Sequence, residues 1–545
     1  MKKIKEYSLV LVLIFLALLP VLPLFKEGLP VTHDGQDHVA RIANFYLNLT
    51  EGNLIPRWAP NLNWGYGHPI LEFLYPAPSY FASFFHFLGF SLVDSTKIIF
   101  GLGIFMSGIF MFLWLKQFLS KEAAFFGSFL YIYAPYRFVD LNVRGAIGEN
   151  FVFIWIPLVL FFIFKLFETK ESKYTALGGI AFSLMVLSHN AISLMFAPFI
   201  LFYSVYLVYL SKYKKSLIIN LLSLIILGLF LSAFFWFPAL LEGKYTLRDI
   251  VTKDGYLTNF VSFKDLLYGE WNYGITGQFT VQLGIVHWLI FITSPFFAAY
   301  LFRRKNKLWV LMFGLFFYTL SAIFLMLPQS GFIWEKIMIL QNFQFPWRFL
   351  SVTTFATAVL GGLVFSIIPR KLSKYLLIAF CLLILVLSKD YFYPKAYQQK
   401  PESFYSGIWN STTDTGESAP MWSVRFMEKR PNAHLEVIDG NAYIKELKRT
   451  STYHKYQLIV NKPTLFEENT LYFPGWEIKA NNIPLKIQFQ NMNYMGVMLF
   501  NLQKGNYIVE VIYKETKLRL IADIISLVSI ILVVAIISIK FTKYK

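Results

Sequence analysis

One cysteine, Cys381, stands in 545 residues, so no intramolecular disulfide can form. A lone thiol inside an apolar run is ordinarily just a small hydrophobe. Charge is also scarce: Asp, Glu, Lys and Arg make 15% of the chain against 56% hydrophobic residues, a balance that excludes an ordinary soluble protein and fits a polytopic membrane protein. Acidic residues are the scarcer sign, 32 against 50 Lys and Arg, for a formal charge of +18. That excess does not imply nucleic acid as a partner, because the bases fall in short clusters between apolar runs, where the flanks of membrane helices keep them. Histidine is sparse, with 8 residues, and no HExxH or cysteine cluster supplies metal-ligand spacing. Walker loop, GxGxxG after a strand and GxSxG are missing too, so nucleotide-driven chemistry and serine hydrolysis have no support. Internal repeats and low-complexity tracts are not evident.

What is present is a series of apolar runs of about 20 residues, the length that crosses a bilayer. They fall near 7–25, 97–115, 122–136, 150–167, 174–189, 190–210, 216–241, 279–302, 307–328, 348–368, 373–389 and 518–540, about twelve in all. The first resembles a signal peptide, but lacks a small-residue cleavage site and reads as a retained helix. Basic clusters follow in alternation: Lys2, Lys3 and Lys5; Lys116 and Lys121; Lys165, Lys170 and Lys173; Lys212, Lys214 and Lys215; Arg303, Arg304, Lys305 and Lys307; Arg370, Lys371 and Lys374; Lys540, Lys543 and Lys545. With twelve spans all seven share one side, which the positive-inside rule makes cytoplasmic, together with both termini. Connections 26–96, 137–149, around His189, 242–278, 329–347 and 390–517 then face out of the plasma membrane. Ser79 to Val93 is apolar but only about 15 residues long, better suited to an interfacial or re-entrant helix than to a span.

Three regions follow: a helical domain over 1–389 with a large external loop at 26–96, a polar extracytoplasmic region at 390–517, and a last helix with a basic tail at 518–545. Alternation at Tyr456–Val460, Trp476–Ala480, Pro484–Gln490, Gly496–Leu502 and Asn506–Tyr513 predicts short strands, and hence a β-sandwich-like domain between two membrane helices.

The stretch Val31 to Pro78 concentrates chemistry. It holds Asp34, Asp37, Glu51 and Glu72, three His, two Arg, and Trp58, Trp64 and Tyr66. So long and polar a loop is costly as a mere connection. Asp34, Asp37, His38 and Arg41 open an amphipathic helix, HDGQDHVARIANFYLNL. In one reading Asp34 is an N-cap and Asp37 a first-turn acid; in the other a carboxylate beside the membrane serves as general base towards a hydroxyl, and the two are compatible. NVRGAIGEN brings Arg144 and Glu149, either an interfacial ion pair or a phosphate site, since the planar guanidinium binds phosphate oxygens bidentately. QNFQFPWR offers Arg348 at the mouth of the next helix, where a snorkelling Arg is also ordinary. His189 and Asn190 sit between two apolar runs, where such a pair commonly turns a helical hairpin.

These motifs resemble a family. A first helix followed by a long external loop with an acidic opening is the layout of the GT-C membrane glycosyltransferases. D-x-x-x-H-x-x-R-I at Asp34–Ile42, G-x-x-x-P-R-W at Gly52–Trp58, G-Y-G-x-P at Gly65–Pro69, R-G-A-x-x-E at Arg144–Glu149, S-H-N at Ser188–Asn190 and Q-F-P-W-R at Gln344–Arg348 are similar to membrane proteins called 6-pyruvoyl-tetrahydropterin synthase-related. No zinc triad of a pterin synthase accompanies them. Y-F-P-G-W at Tyr472–Trp476 is similar to the C-terminal end of YfhO-type proteins. The resemblance implies a GT-C-like helical fold and inverting sugar transfer, from a polyprenyl-phosphate donor to a cell-envelope glycan, lipid or protein on the outer face. It implies Asp34 as catalytic carboxylate, with Asp37 the second candidate. Around them His38, Arg41, Arg144, Glu149, His189 and Arg348 would serve substrate and phosphate, and Trp58, Trp64 and Tyr66 would stack on sugars or else pack in the interfacial aromatic belt. The pattern makes no cofactor certain; a divalent Mg or Mn on Asp34 and Asp37 stays open. A transporter or flippase of lipid-linked glycans, or a non-catalytic envelope scaffold that binds glycan, are the alternatives. A transporter would place ionisable groups at mid-span, whereas here nearly all stand near span ends.

Overall fold

In the computed structural model, which describes residues 2–274 and 279–541, every one of the twelve apolar runs is helical over most of its length. The tail carrying Lys543 and Lys545 and the 275–278 part of connection 242–278 lie outside the described residues, as do the side chains of Lys2, Lys3, Lys5, Arg370 and Lys540. Helix α1 (Lys2–Leu18) tightens into a 3-10 stretch over Leu19–Phe25, where Pro20 and Pro23 withdraw backbone donors. The long loop then forms the amphipathic α2 (Gly35–Thr50). Ser79 to Val93 is not one helix: α3 (Ala77–Phe87) has 11 residues, roughly 16 Å at 1.5 Å per residue and too short to cross a bilayer. Ser91 then caps α4 (Leu92–Leu115), its hydroxyl accepting from the Asp94 N–H.

The bundle continues as α5 (Lys121–Tyr133), α6 (Ile147–Thr169), α7 (Ser172–Ser188), α8 (Asn190–Leu210), α9 (Lys214–Leu231), α10 (Ala233–Glu242), α11 (Ile285–Arg303), α12 (Leu308–Met326), α13 (Leu350–Phe365), α14 (Arg370–Ser388) and α15 (Lys517–Phe541). Among the described residues nine helices are long and apolar enough to cross a membrane. Runs 7–25, 122–136 and 174–189 fall short of that length. Of these, α5 has 13 residues, because Pro135 starts a new turn that leads into a π-helical stretch at Val139–Arg144. The run 216–241 is two helices, broken at Ser232. Ser526 of α15 repairs the break, its hydroxyl accepting from the Phe234 N–H and donating to the Phe230 carbonyl, both at 2.9 Å. Backbone groups freed within a membrane require such a partner.

Before α15 lies a six-stranded antiparallel sheet of β1 (Leu435–Arg449), β2 (Tyr453–Leu471), β3 (Trp476–Ala480), β4 (Ile483–Leu485), β5 (Val497–Leu502) and β6 (Gly505–Tyr513). The order is β1-β2-β6-β3-β4, with β5 pairing the far half of β2. Three of the five expected strands are found nearly as read; Tyr456–Val460 is a short part of the 19-residue β2, Pro484–Gln490 shrinks to β4, and no expected strand covers β1. Tyr456, Leu458, Phe466, Trp476 and Phe500 form the sheet's core, and Trp58 and Tyr66 of the long loop belong to the same cluster. Below it, Arg57 pairs with Glu515 at 3.0 Å and Asp523 at 2.7 Å, while fully buried Arg519 lies 2.6 Å from Glu242 and 2.9 Å from Glu72. The β-domain and α15 are thereby clamped to the loop that opens the chain.

Candidate functional site

Two loops meet along their backbones. The His33 N–H donates to the Val143 carbonyl at 3.0 Å and the Asp34 N–H to the Arg144 carbonyl at 2.9 Å. Gly145, with φ +67°, lies against the Thr32 hydroxyl, which a Cβ there would strike. Glycine is thus required for the approach as well as for the left-handed turn. Asp34 occupies the N-cap position of α2, but its side chain makes no capping bond. Solvent reaches the carboxylate, while protein crowds around it as on the floor of an open recess. Burial in that recess raises its pKa above the usual 3.8, against the opposing pull of Arg144, Arg41, His33 and Arg348.

Glu149, at the start of α6, organises the next wall. Its Oε1 accepts from Arg144 Nη2 and from Arg348 Nε, each at 2.9 Å, and its Oε2 from the Tyr136 hydroxyl at 2.7 Å. His189 Nε2 stands 3.9 Å from Oε1, and its ring stacks on Tyr75 at 4.8 Å. Arg144 also donates to Asp140 at 2.7 Å and lies 4.4 Å from the centre of the Trp347 ring. The expected Arg144–Glu149 pair is therefore present, buried rather than interfacial. His189 does turn the α7–α8 hairpin, its Nδ1 accepting from the Ile192 N–H, and faces the recess as well. Arg348 Nη2 and Arg144 Nε have no hydrogen-bond partner among the described residues, which leaves each guanidinium a donor for a further anion.

The first turn of α2 faces a segment that sequence reasoning passed over. Trp409 donates its indole N–H to Asp37 at 3.0 Å. Arg41 donates to the Thr413 hydroxyl at 3.2 Å and to its carbonyl, and its Nη1 contacts His38 Nδ1 at 2.9 Å. Burial, then the neighbouring Arg41, holds His38 well below the ordinary imidazole range. Asp37 is raised by burial, more than Arg41 and Trp409 lower it. Asp414 follows, its oxygens accepting from the Gly416 and Ser418 N–H groups at 2.9 and 3.1 Å. Thr413 and Gln344 both hold left-handed φ without being glycine, a strain that persists where surroundings impose it and often marks a working site. The signal for this segment was the Ser/Thr/Asp/Gly composition of NSTTDTGES, which reads equally as a plain turn.

Asp34, Asp37, His38, Arg41, Arg144, Glu149, His189 and Arg348 thus come together at one end of the bundle. Trp58 and Tyr66 do not join them. Trp58 is 1% exposed, with its ring 5.4 Å from Trp476 and 5.6 Å from Tyr513, and Tyr66 is buried in the same cluster; the β-domain covers the faces a sugar would need. Asp37 is engaged by Trp409, and among the described residues no group of three or more His, Cys, Asp or Glu converges as metal ligands.

The family model of the 6-pyruvoyl-tetrahydropterin synthase related domain, a membrane protein, matches residues 71–394. An uncharacterized protein of Lactococcus lactis subsp. cremoris is 24% identical over 340 residues, 59% of this chain. The match covers 54% of that protein, so the chain spans about half the length of the curated relative it matches. Among solved structures, the chain is similar to the Archaeoglobus fulgidus oligosaccharyltransferase in complex with Zn and sulfate, at 16% identity and TM-score 0.43, over 74% of this chain and 53% of that one. Arabinofuranosyltransferase AftD from Mycobacteria is similar at 14% identity and TM-score 0.41, over 71% and 27%. ArnT from Cupriavidus metallidurans bound to undecaprenyl phosphate is similar at 12% identity and TM-score 0.39, over 73% and 68%.

Proposed function

The chain belongs to the family of 6-pyruvoyl-tetrahydropterin synthase related membrane proteins, and on that premise we propose that it transfers a sugar from a polyprenyl-phosphate donor to a hydroxyl of a cell-envelope acceptor, with inversion, on the extracytoplasmic face. The observation that carries this reading is the solvent-reached Asp34 carboxylate, raised in pKa and hydrogen-bonded by no other residue described, beside Arg144 and Arg348. A base and a phosphate-binding wall are what the reaction needs. Asp34 takes the proton of the acceptor hydroxyl as that oxygen forms its bond to the anomeric carbon. The bond from that carbon to the phosphate oxygen breaks, and the electron pair leaves with the phosphate. Arg348 Nη2 and Arg144 Nε meet that charge, while Glu149 and Asp140 hold the two guanidiniums in place, so little reorganisation accompanies the step. Attack from the face opposite the phosphate inverts the anomeric centre. Asp37 keeps Trp409, and with it the 409–418 segment, over the recess.

The experiment is mass spectrometry of lipid-linked sugars in cells lacking the protein and in their parent. A polyprenyl-phosphate sugar accumulating in the deletion names the donor. Identical pools, with the envelope glycans also unchanged, reject the transferase reading.

A further inference from the structure

Between the ends of α8, α11 and α12 that lie away from the recess, a cavity of about 1010 Å³ opens sideways. Phe202, Val205, Phe302, Trp309 and Val310 give it apolar and aromatic walls, on helices long and apolar enough to cross the membrane. Its floor exists because α12 carries Gly314 where the Phe202 ring lies; a Cβ at that position would run into the ring. Its rim is basic: Arg303, Lys305 and Lys307 stand at the turn between α11 and α12, and Lys305 takes a left-handed φ of 55° there. Lys307 Nζ lies 3.3 Å from the Tyr209 hydroxyl, and among the described residues none of the three cations pairs with a carboxylate.

We infer that this groove holds a phospholipid with an anionic headgroup, one acyl chain against Phe202, Val205 and Trp309 and the phosphate at Arg303, Lys305 and Lys307. Charge complementarity and position favour lipid over protein. Val205 and Phe302 are 58% and 60% exposed on helices long and apolar enough to cross the membrane, so an acyl chain meets apolar side chains at the mouth of the groove. Three cations without a carboxylate at the end of an apolar slot match a phosphate attached to a hydrocarbon tail. The site is separate from the recess around Asp34: α8 runs from His189 at the recess to Tyr209 at the groove, roughly 30 Å along its axis. The inference does not depend on sugar transfer.

The test uses the full chain, purified and delipidated in detergent, with dioleoyl phosphatidylglycerol, dioleoyl phosphatidylcholine or glycerol phosphate added, and native mass spectrometry as readout. Phosphatidylglycerol is retained at least about tenfold more strongly than phosphatidylcholine, and glycerol phosphate is not retained. Replacing Arg303, Lys305 and Lys307 together by Gln weakens retention on the order of a hundredfold, from about fivefold per cation. The combined charge-preserving changes R303K, K305R and K307R keep binding. Val205→Trp, at an exposed position that tolerates bulk, fills the slot and removes binding without lowering the unfolding temperature. Equal retention of the two lipids, unchanged binding by the triple Gln variant, or a dimer sealed through Val205 with no lipid retained overturns the inference.

Discussion

Arg144 and Arg348 hydrogen-bond the same oxygen of Glu149, each at 2.9 Å. One carboxylate, 1% exposed, thus aligns two guanidiniums from connections some two hundred residues apart. Removing its charge takes from buried Arg144 and half-buried Arg348 the carboxylate that both hydrogen-bond. Glu149→Gln is therefore expected to lower stability by about 3 kcal/mol and to abolish transfer. Thermal unfolding of the purified variant checks the first, and transfer by its folded fraction the second; a variant as stable and active as the wild type removes Glu149 from its organising role.

Asp34 and Asp37 separate by what holds them. Asp37 supports Trp409, whereas Asp34 caps nothing. Asp34→Asn is expected to leave the unfolding temperature unchanged and to cut kcat by about 10²–10⁴-fold, the range for a lost general base. Asp37→Asn is expected to cost stability of about 1 kcal/mol, since its amide oxygen still accepts the Trp409 N–H and only the charge assistance is lost, with a smaller fall in kcat. The reverse ranking in kcat reassigns the base.

The pH dependence follows from Asp34. Burial raises its pKa above 3.8, and only the deprotonated form accepts a proton, so activity falls as pH drops through that raised value. The acidic limb of kcat/KM is expected above the range of an exposed aspartate, and absent from the residual activity of Asp34→Asn. A limb at or below about 4 contradicts the assignment.

Stability has its own pH dependence in the clamp beneath the β-domain. Burial, and the neighbouring Glu242, push Glu72 up to about 8 despite Arg519 and Arg57. The folded protein thus holds a proton that the unfolded chain releases near 4.5. The Glu72 contribution to stability is therefore fully present below that value and is lost as pH rises towards about 8, by a few kcal/mol in order of magnitude. Glu72→Gln keeps the side chain neutral, so its unfolding temperature is expected to match the wild type at about pH 5 and exceed it at about pH 9. A parallel decline in both proteins would rule out Glu72 as the source.

Much of this was legible in the residues. Hydropathy located all twelve helical runs, and the acidic, arginine and histidine motifs are the groups that converge on the recess. What stayed hidden has physical causes. Trp58 and Tyr66 look alike in sequence whether they face a sugar or a domain that arrives four hundred residues later. Strand β1 pairs on one side only, with β2, so LEVIDGNAYIKELKR carries the charges of an exposed edge, which blur its alternation. The break at Ser232 depends on Ser526, nearly three hundred residues away. Trp409, Thr413 and Asp414 gain their role only by folding over α2, which no local pattern announces.

The central claim is that Asp34 acts as base in transfer from a lipid-linked donor, and complementation of a deletion strain tests it most directly. Lipid-linked sugars are measured by mass spectrometry after restoring the wild-type protein, Asp34→Asn or Asp37→Asn at equal membrane levels. The account predicts that the wild type clears an accumulated polyprenyl-phosphate sugar, that Asp34→Asn leaves it at the deletion level, and that Asp37→Asn clears it in part. Full clearance by Asp34→Asn would contradict it.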